Sequence, residues 1–264
     1  MKRIALATSA ELTAGVPDDL LLVEPLRARD IEPESVVWTD PGADWGSFDM
    51  VVIRSPWDYD RDPEGFLAWV DRTGAATELW NRPATVRWNL DKRYLQELDV
   101  PKIDTIWLER GAAARRPWER MVAKAAVDLG GRKAILDPTD EQITALAAAS
   151  EVMLQPFMED VLENGELSLM FIDGRFEHAA RKTAAEGEFR IQEEWGGSVH
   201  PATATAEEIE TGERVMAQVG ETLYARVDLI AGRLIEVELV EPSLFLSAEP
   251  RTASKLAEAI ERRL

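Results

Sequence analysis

The stretch YARVDLIAGRLIEVELVEPSLF, residues 224–245, decides how the rest of the chain is read. Apolar and polar residues alternate on both sides of Ala231-Gly232, the pattern of two strands joined by a tight turn. Side chains two apart on a strand share a face, so Glu236 and Glu238 point the same way and hairpin pairing sets Asp228 opposite them. Carboxylates held among apolar residues need partners. Three hard oxygen ligands in a small area suit Mg2+, with Mn2+ as the alternative, and Mg2+ completes its shell with waters and substrate phosphates. Arg226 lies on the same face as Asp228 and offers a fixed positive fork beside such a metal. The spacing fits equally well the solvated face of an amphipathic hairpin in an acidic protein.

Composition narrows the functions open to the chain. Its 264 residues, 45% of them hydrophobic, suffice for a packed core distributed over one large domain or two to three small lobes. No apolar run approaches the ~20 residues that span a bilayer. Ser9, Glu11 and Thr13 interrupt any signal-peptide core, so the N-terminus reads as a first strand and the expected location is cytoplasmic. The absence of cysteine removes disulfides, thiolate metal sites and cysteine nucleophiles, and His178 and His200 alone make no histidine-rich metal centre. Forty-nine acidic against 30 basic residues, a formal charge of -19, argue against nucleic-acid or anionic-membrane surfaces. A polyanion can then bind only where cations are locally concentrated or magnesium intervenes, so each well-placed lysine or arginine is informative.

The first 90 residues read as strands at 2–8, 36–38 and 49–55 alternating with helices at 17–29 and 62–73, a parallel-sheet lobe. It has no GxGxxG. Its central strand instead ends in RSPWDY, residues 54–59, and ligands of open α/β sheets bind beyond the carboxyl ends of strands, so Arg54 is placed to meet an anionic substrate group or to fix the loop by a salt bridge. Beyond it come a helix over 91–98 carrying Lys92, strands at 102–107 and 120–125 with Lys124 in an apolar run, and a Gly130-Gly131 hairpin that lets backbone N–H groups approach phosphate. A helix over 139–149, a strand interrupted by Pro156, a hairpin turning at Asp173-Gly174, a polar flap over 189–199 and a helix over 205–219 lead to the central hairpin. An amphipathic helix, ASKLAEAIERRL, follows it.

The strings NLDKRYL, MVAKAAVDLGGRK, MLQPFME, RVDLI and LIEVELVEPS, in this order and spacing, resemble the ATP-grasp superfamily in its glutathione synthetase and D-alanine ligase branch. VVIRSPWDY, HAARK, FRIQEEWGG and EVELVEPSLFL extend the resemblance, over essentially the whole chain, to the O-ureido-D-serine cyclo-ligase group. The resemblance implies an α/β (α+β) fold of three lobes: a substrate lobe over 1–90, a central lobe over 91–158 and a third, metal-bearing lobe over 159–264, the last two built on antiparallel sheets that clamp ATP. It assigns Lys92 and Lys124 to the phosphates, Gly130 and Gly131 to the lid over them, Gln155, Phe157 and Met158 to the adenine hinge, and Glu166 to the nucleotide. Asp228, Glu236 and Glu238 become ligands of two Mg2+ ions, and Arg226 and Arg181 contact the transferred phosphoryl group or the acyl-phosphate oxyanion. Arg54, Ser55, Trp57, Tyr59 and Glu241 fall to an amino-acid-like substrate.

Three positions depart from the pattern: Glu238 stands where many relatives carry Asn, Ala125 where proline is common, and 108–120 gives no clear helix. The implied chemistry is phosphorylation of a carboxylate by ATP followed by attack of an amine-type nitrogen, within one molecule in a cyclo-ligase. An intermolecular amide ligase is the rival enzyme, and a non-catalytic nucleotide-binding regulatory module the rival of another class. Assembly into a homo-oligomer is left open.

Overall fold

Three separate sheets form, and the side chains that join them explain where the site lies. The computed structural model describes residues 1–128, 134–185, 188 and 195–264. Strands β1 (Lys2–Thr8), β2 (Ile31–Val37), β3 (Met50–Ser55) and β4 (Glu78–Trp80) make a parallel sheet of order β2-β1-β3-β4. The two inner strands are apolar runs because helices cover both faces of such a sheet, whereas β2 is an edge and tolerates Pro33. Helix Pro63–Ala76 is capped by Asp62, which accepts from the Gly65 amide at 2.9 Å, and it buries Phe66, Trp69 and Val70. The single helix expected over 17–29 is instead two short ones, Pro17–Leu20 and Val23–Arg27. Pro25 has no N–H to bond back with and its ring crowds the preceding turn, so the first helix cannot continue into it and the chain restarts with Pro25 in the first turn of the second.

The second sheet is antiparallel, order β5-β8-β6-β7, from β5 (Ile106–Leu108), β6 (Met121–Ala125), β7 (Ile135–Leu136) and β8 (Val152–Pro156). Helix Asp140–Ala149 covers it, started by a Thr139–Gln142 capping box, and buries Ile143 and Ala147. Lys102 and Ile103 are not in a strand of this sheet; they bridge to Leu234 of the third.

The third sheet, also antiparallel, has order β11-β10-β9-β12-β13: β9 (Glu166–Ile172), β10 (Arg175–Thr183), β11 (Ser198–Ala202), β12 (Tyr224–Ile230) and β13 (Arg233–Glu238). Asp173 and Gly174 turn β9 into β10 at φ 52° and 72°, and Ala231 and Gly232 turn β12 into β13 at φ 50° and 71°, both turns falling where the glycine pairs predict them. Helix Ala206–Val219 packs Val215 and Met216 onto one face, against Leu167, Leu169, Val227 and Val237. The other face is divided. Toward β11 and the helix Arg251–Glu261 it shares a core with the first sheet, in which Ile4, Leu6, Met50, Met170, Tyr224, Leu256 and Ile260 are buried together. Toward β13 it carries the polar residues described below.

The segment between the first two sheets fastens the first sheet to the third. Asn81 donates to the Tyr224 and Leu239 carbonyls at 3.0 and 2.6 Å and accepts from the Leu223 amide at 2.7 Å. Asn89 and Tyr94 bond the Val237 and Leu239 main chain at 2.7–2.8 Å. They satisfy the open side of β13, which would otherwise be an unpaired edge. Among the described residues no helix is long and apolar enough to cross a membrane.

Candidate active site

Register decides which side chains meet. Ser168 of β9 lies opposite both Ala180 of β10 and Asp228 of β12; Asp228 in turn faces Glu236, and Arg226 faces Glu238, on β13. Residues two apart share a face, so Glu166, Ser168, Lys182, Arg226, Asp228, Glu236 and Glu238 line one polar strip. Asp228, 1% exposed, sits at its centre. It accepts from Ser168 Oγ at 2.6 Å, Lys182 Nζ at 3.0 Å and Arg226 Nε and Nη2 at 3.0 Å. Lys182 also pairs with Glu166 and Arg226 with Glu238, while the remaining Arg226 nitrogen donates to the Ser243 carbonyl at 3.2 Å.

Two lysines approach the strip from outside the sheet. Lys92 Nζ lies 2.6 Å from Glu236 and 3.0 Å from the Asp128 carbonyl. It sits in a 3-10 turn, Lys92–Gln96, rather than the expected α-helix: Asp91 accepts from the Arg93 amide and the Lys92 amide goes to the Ala126 carbonyl. Lys124 of β6 donates to Gln155 Oε1 at 3.3 Å.

The charges tune one another. Burial raises the Asp228 pKa, but the Arg226 guanidinium and the Lys182 ammonium outweigh it and hold the carboxyl far below its ordinary value. Burial pushes Glu166 up to about 7, with Lys182 opposing and Asp228 adding to the rise. Burial likewise raises Glu238, against Arg226, and lowers Lys124, against Glu236. Glu236 is lowered overall, because Lys92 outweighs its burial. The arrangement is a fixed, water-poor array of cations and anions suited to holding a charged phosphate chain.

Several expectations need correction. Asp228, Glu236 and Glu238 do not converge as a bare carboxylate cage, and no group of three or more acidic or histidine side chains among the described residues does. Each carboxylate is drawn to a side-chain cation, and Arg226 stands between Asp228 and Glu238. The donors still fit a hard divalent ion in kind, being oxygens on adjacent strands. Arg181 does not reach the strip: it pairs with Leu167 on the opposite face and donates to the Asn164 carbonyl at 2.8 Å. Its neighbour Lys182 holds the inner position. Lys182 was not singled out in the sequence: counting back from the Asp173-Gly174 turn sets Arg181 opposite Glu166, and a bulge between Phe176 and His178 shifts the register by one residue so that Lys182 takes that place.

Arg54 is 1% exposed and gives Nε to Asp19 at 2.8 Å, so the salt-bridge reading holds. Ser55 donates to Asp19 and Thr8 at 2.9 and 3.0 Å. Trp57 Nε1 donates to the Glu241 carbonyl at 3.2 Å and Arg54 Nη2 to the Pro242 carbonyl at 3.4 Å. RSPWDY thus grips the loop after β13. The Gln155 side chain is engaged by Lys124 and Thr105, and Phe157 packs with Ile103, Val161 and Ile230, with Met158 partly buried against them. Gly130, Gly131 and most of the expected flap lie outside the described residues.

With this geometry in place, comparison with known proteins defines the class. The prokaryotic glutathione synthetase ATP-grasp domain family matches residues 97–251, more than half the chain, and the D-cycloserine synthetase DcsG N-terminal domain family matches residues 4–81. The chain belongs to the ATP-grasp ligases and is an ATP-dependent carbon–nitrogen ligase. Among its relatives, the cycloserine biosynthesis protein DcsG of Streptomyces lavendulae is 31% identical over 92% of each chain. The crystal structure of D-cycloserine synthetase DcsG superposes with a TM-score of 0.89 at 29% identity, covering 99% of both chains. Glutathione synthetase of Rhodopseudomonas palustris is 25% identical over 98% of this chain and 88% of its own.

Proposed function

We propose that this ligase activates the carboxylate of an amino-acid derivative with ATP and closes it onto a nitrogen of the same molecule, as a cyclo-ligase of the O-ureido-D-serine type. The observation that carries this reading is the full-length similarity to DcsG, at 31% identity over 92% of each chain. The assignment of lobes is 1–90 for the substrate and 91–158 with 159–264 for the nucleotide. Two adjoining matches, at 4–81 and 97–251, support it.

In this reading Lys92, Lys124 and Lys182 hold the triphosphate, with Arg226 at the phosphoryl group in transit. Support comes from their surroundings: Lys92, Lys182 and Arg226 pair with Glu236, Asp228 and Glu238, and Lys124 lies near Glu236, whose charge opposes the lowering of its pKa by burial. ATP-grasp ligases use Mg2+ generally, and here Glu236 and Glu238, with Asp228, would hold two ions that neutralise charge on the phosphates. The substrate carboxylate oxygen takes the γ-phosphoryl group and ADP leaves. A nitrogen of the substrate then attacks the acyl carbon, and phosphate departs with the bonding pair. Positioning and electrostatics carry both steps, so no side-chain nucleophile is required.

Purified protein with Mg-ATP and O-ureido-D-serine should release ADP and phosphate with no second amine present. Phosphate release that begins only when a separate amine is added would replace the cyclo-ligase with an intermolecular amide ligase. Binding of ATP with no turnover of any carboxylate would remove the ligase reading. Glu236→Gln should lower magnesium-dependent turnover by roughly a hundredfold or more while the protein stays folded.

A further inference from the structure

The polar strip occupies one face of the third sheet, and the opposite face has an opening of its own. A groove of about 530 Å³ lies there between the first turn of the helix Ala206–Val219, the short helix Asp160–Glu163 and the ends of β9, β10 and β12. Strand register lays a row across it: Arg181 of β10 faces Leu167 of β9, which faces Leu229 of β12. Charges of both signs line the groove without meeting. Arg181 gives one nitrogen to the Asn164 carbonyl at 2.8 Å and makes no ion pair among the described residues. Of the three acids on the walls, Glu208 is held by the Thr205 cap at 2.7–2.9 Å and Asp160 by Asn164 Nδ2 at 2.6 Å, whereas Glu163 pairs with nothing among the described residues.

These charges select the ligand. A bare anion would meet three carboxylates and one guanidinium, and a metal ion would meet the guanidinium with no group of three or more acids or histidines able to hold it among the described residues. A molecule with a carboxylate at one end and an ammonium at the other suits both signs. The planar fork of Arg181 can donate to the carboxylate, and Glu163, with Asp160 one helical turn before it, can take the ammonium. The volume is ample for a small molecule of that kind. Position then gives such binding a consequence. Arg181 adjoins Lys182, Leu167 lies between Glu166 and Ser168, and Leu229 follows Asp228, while neighbours on a strand point to opposite faces. A ligand on the row therefore rests on the back of the three strands that hold the centre of the polar strip.

We propose that this groove is a second small-molecule site, which takes a free α-amino acid by its carboxylate on Arg181 and its ammonium on Glu163 and Asp160, and that filling it changes the nucleotide affinity of the strip on the other face. The coupling rests on reading the strip as the nucleotide site; the binding does not.

Calorimetric titration of the full-length protein with L- and D-alanine and L- and D-leucine tests both parts. At least one of them should bind, and its N-acetyl and carboxamide forms, each lacking one of the two charges, should bind roughly tenfold or more weakly. Arg181→Met and Glu163→Gln should each weaken the free amino acid by a similar factor, with the melting temperature and the Mg-ADP affinity measured without amino acid both unchanged. Saturating the wild-type groove should shift Mg-ADP affinity by roughly fivefold or more, and Mg-ADP should shift the affinity for the amino acid by the same factor. That shift should vanish in Arg181→Met. No binding of any of the four amino acids, or binding that both variants leave unchanged, as for an amino acid lodged in the substrate cleft, overturns the site. Binding that both variants weaken, with Mg-ADP affinity unmoved, overturns the coupling. A protein that binds no ADP at all fails the nucleotide reading of the strip instead, and the amino-acid titrations still decide the groove.

Discussion

Arg181 and Lys182 are neighbours with opposite positions, and the difference is one step of the strand period. Arg181 points to the face covered by the helix Ala206–Val219, while Lys182 sits 7% exposed between Glu166 and Asp228. Lys182→Met leaves two buried carboxylates facing each other. It should cost about 3 kcal/mol in urea denaturation and lower ATP turnover by roughly a hundredfold or more. Arg181→Met should do neither. Glu241 supplies a pH test. Its folded-state pKa is raised from 4.5 to about 8, so the stability it contributes is full below 4.5 and is lost as the pH climbs through 8. Glu241→Gln, which cannot ionise, should therefore gain thermal stability relative to the wild type at about pH 9 and show no gain at about pH 5. The alternating carboxylates of 224–245 were legible because the period of a strand fixes their face. Their pairing with Lys92, Lys182 and Arg226 was not, because it depends on strands far apart in the chain.

At the scale of elements, local signals did well where a turn or cap chemistry is self-contained and failed where a distant partner intervenes. Asp62, Thr139 and Thr205 cap helices as their positions suggest. Nothing near Lys102 announces that it will bridge to Leu234 instead of extending a strand of the middle sheet. The hairpin turn offers a direct measurement. Ala231 has φ 50°, a left-handed conformation that costs an L-residue roughly 1 kcal/mol and glycine almost nothing. Ala231→Gly should thus stabilise the protein by about 0.5 kcal/mol after the entropy of the freer unfolded chain is included. Asn89→Leu works in the other direction. It leaves the Leu239 amide buried without a partner and the Val237 carbonyl with the Tyr94 hydroxyl alone, at a cost of about 1–3 kcal/mol in the same denaturation experiment.

For the whole molecule, the sequence order suggested three successive lobes, whereas packing joins the first sheet to the third. Asn81 and Tyr224 tie them, and one apolar core runs through both. The middle sheet has a core of its own around Met121, Ile143, Val152 and Leu154. Native-state hydrogen exchange should accordingly show the amides of β1, β3, β9 and β12 opening together with the highest protection, and those of β6 and β8 opening separately at lower free energy. Matching protection in all three sheets would mean that the middle one is not a separate unit.

The helix Arg251–Glu261 carries a consequence for how the protein is made. Leu256 and Ile260 fill the core that Ile4, Leu6, Leu22 and Leu26 begin. A ribosome that has translated the first 240 residues therefore holds a chain whose earliest strands still lack the apolar wedge that completes them. The opening portion of the molecule must wait, bare and prone to aggregation, for the last portion to emerge, so nascent chains stalled before residue 251 are the form expected to engage chaperones most strongly.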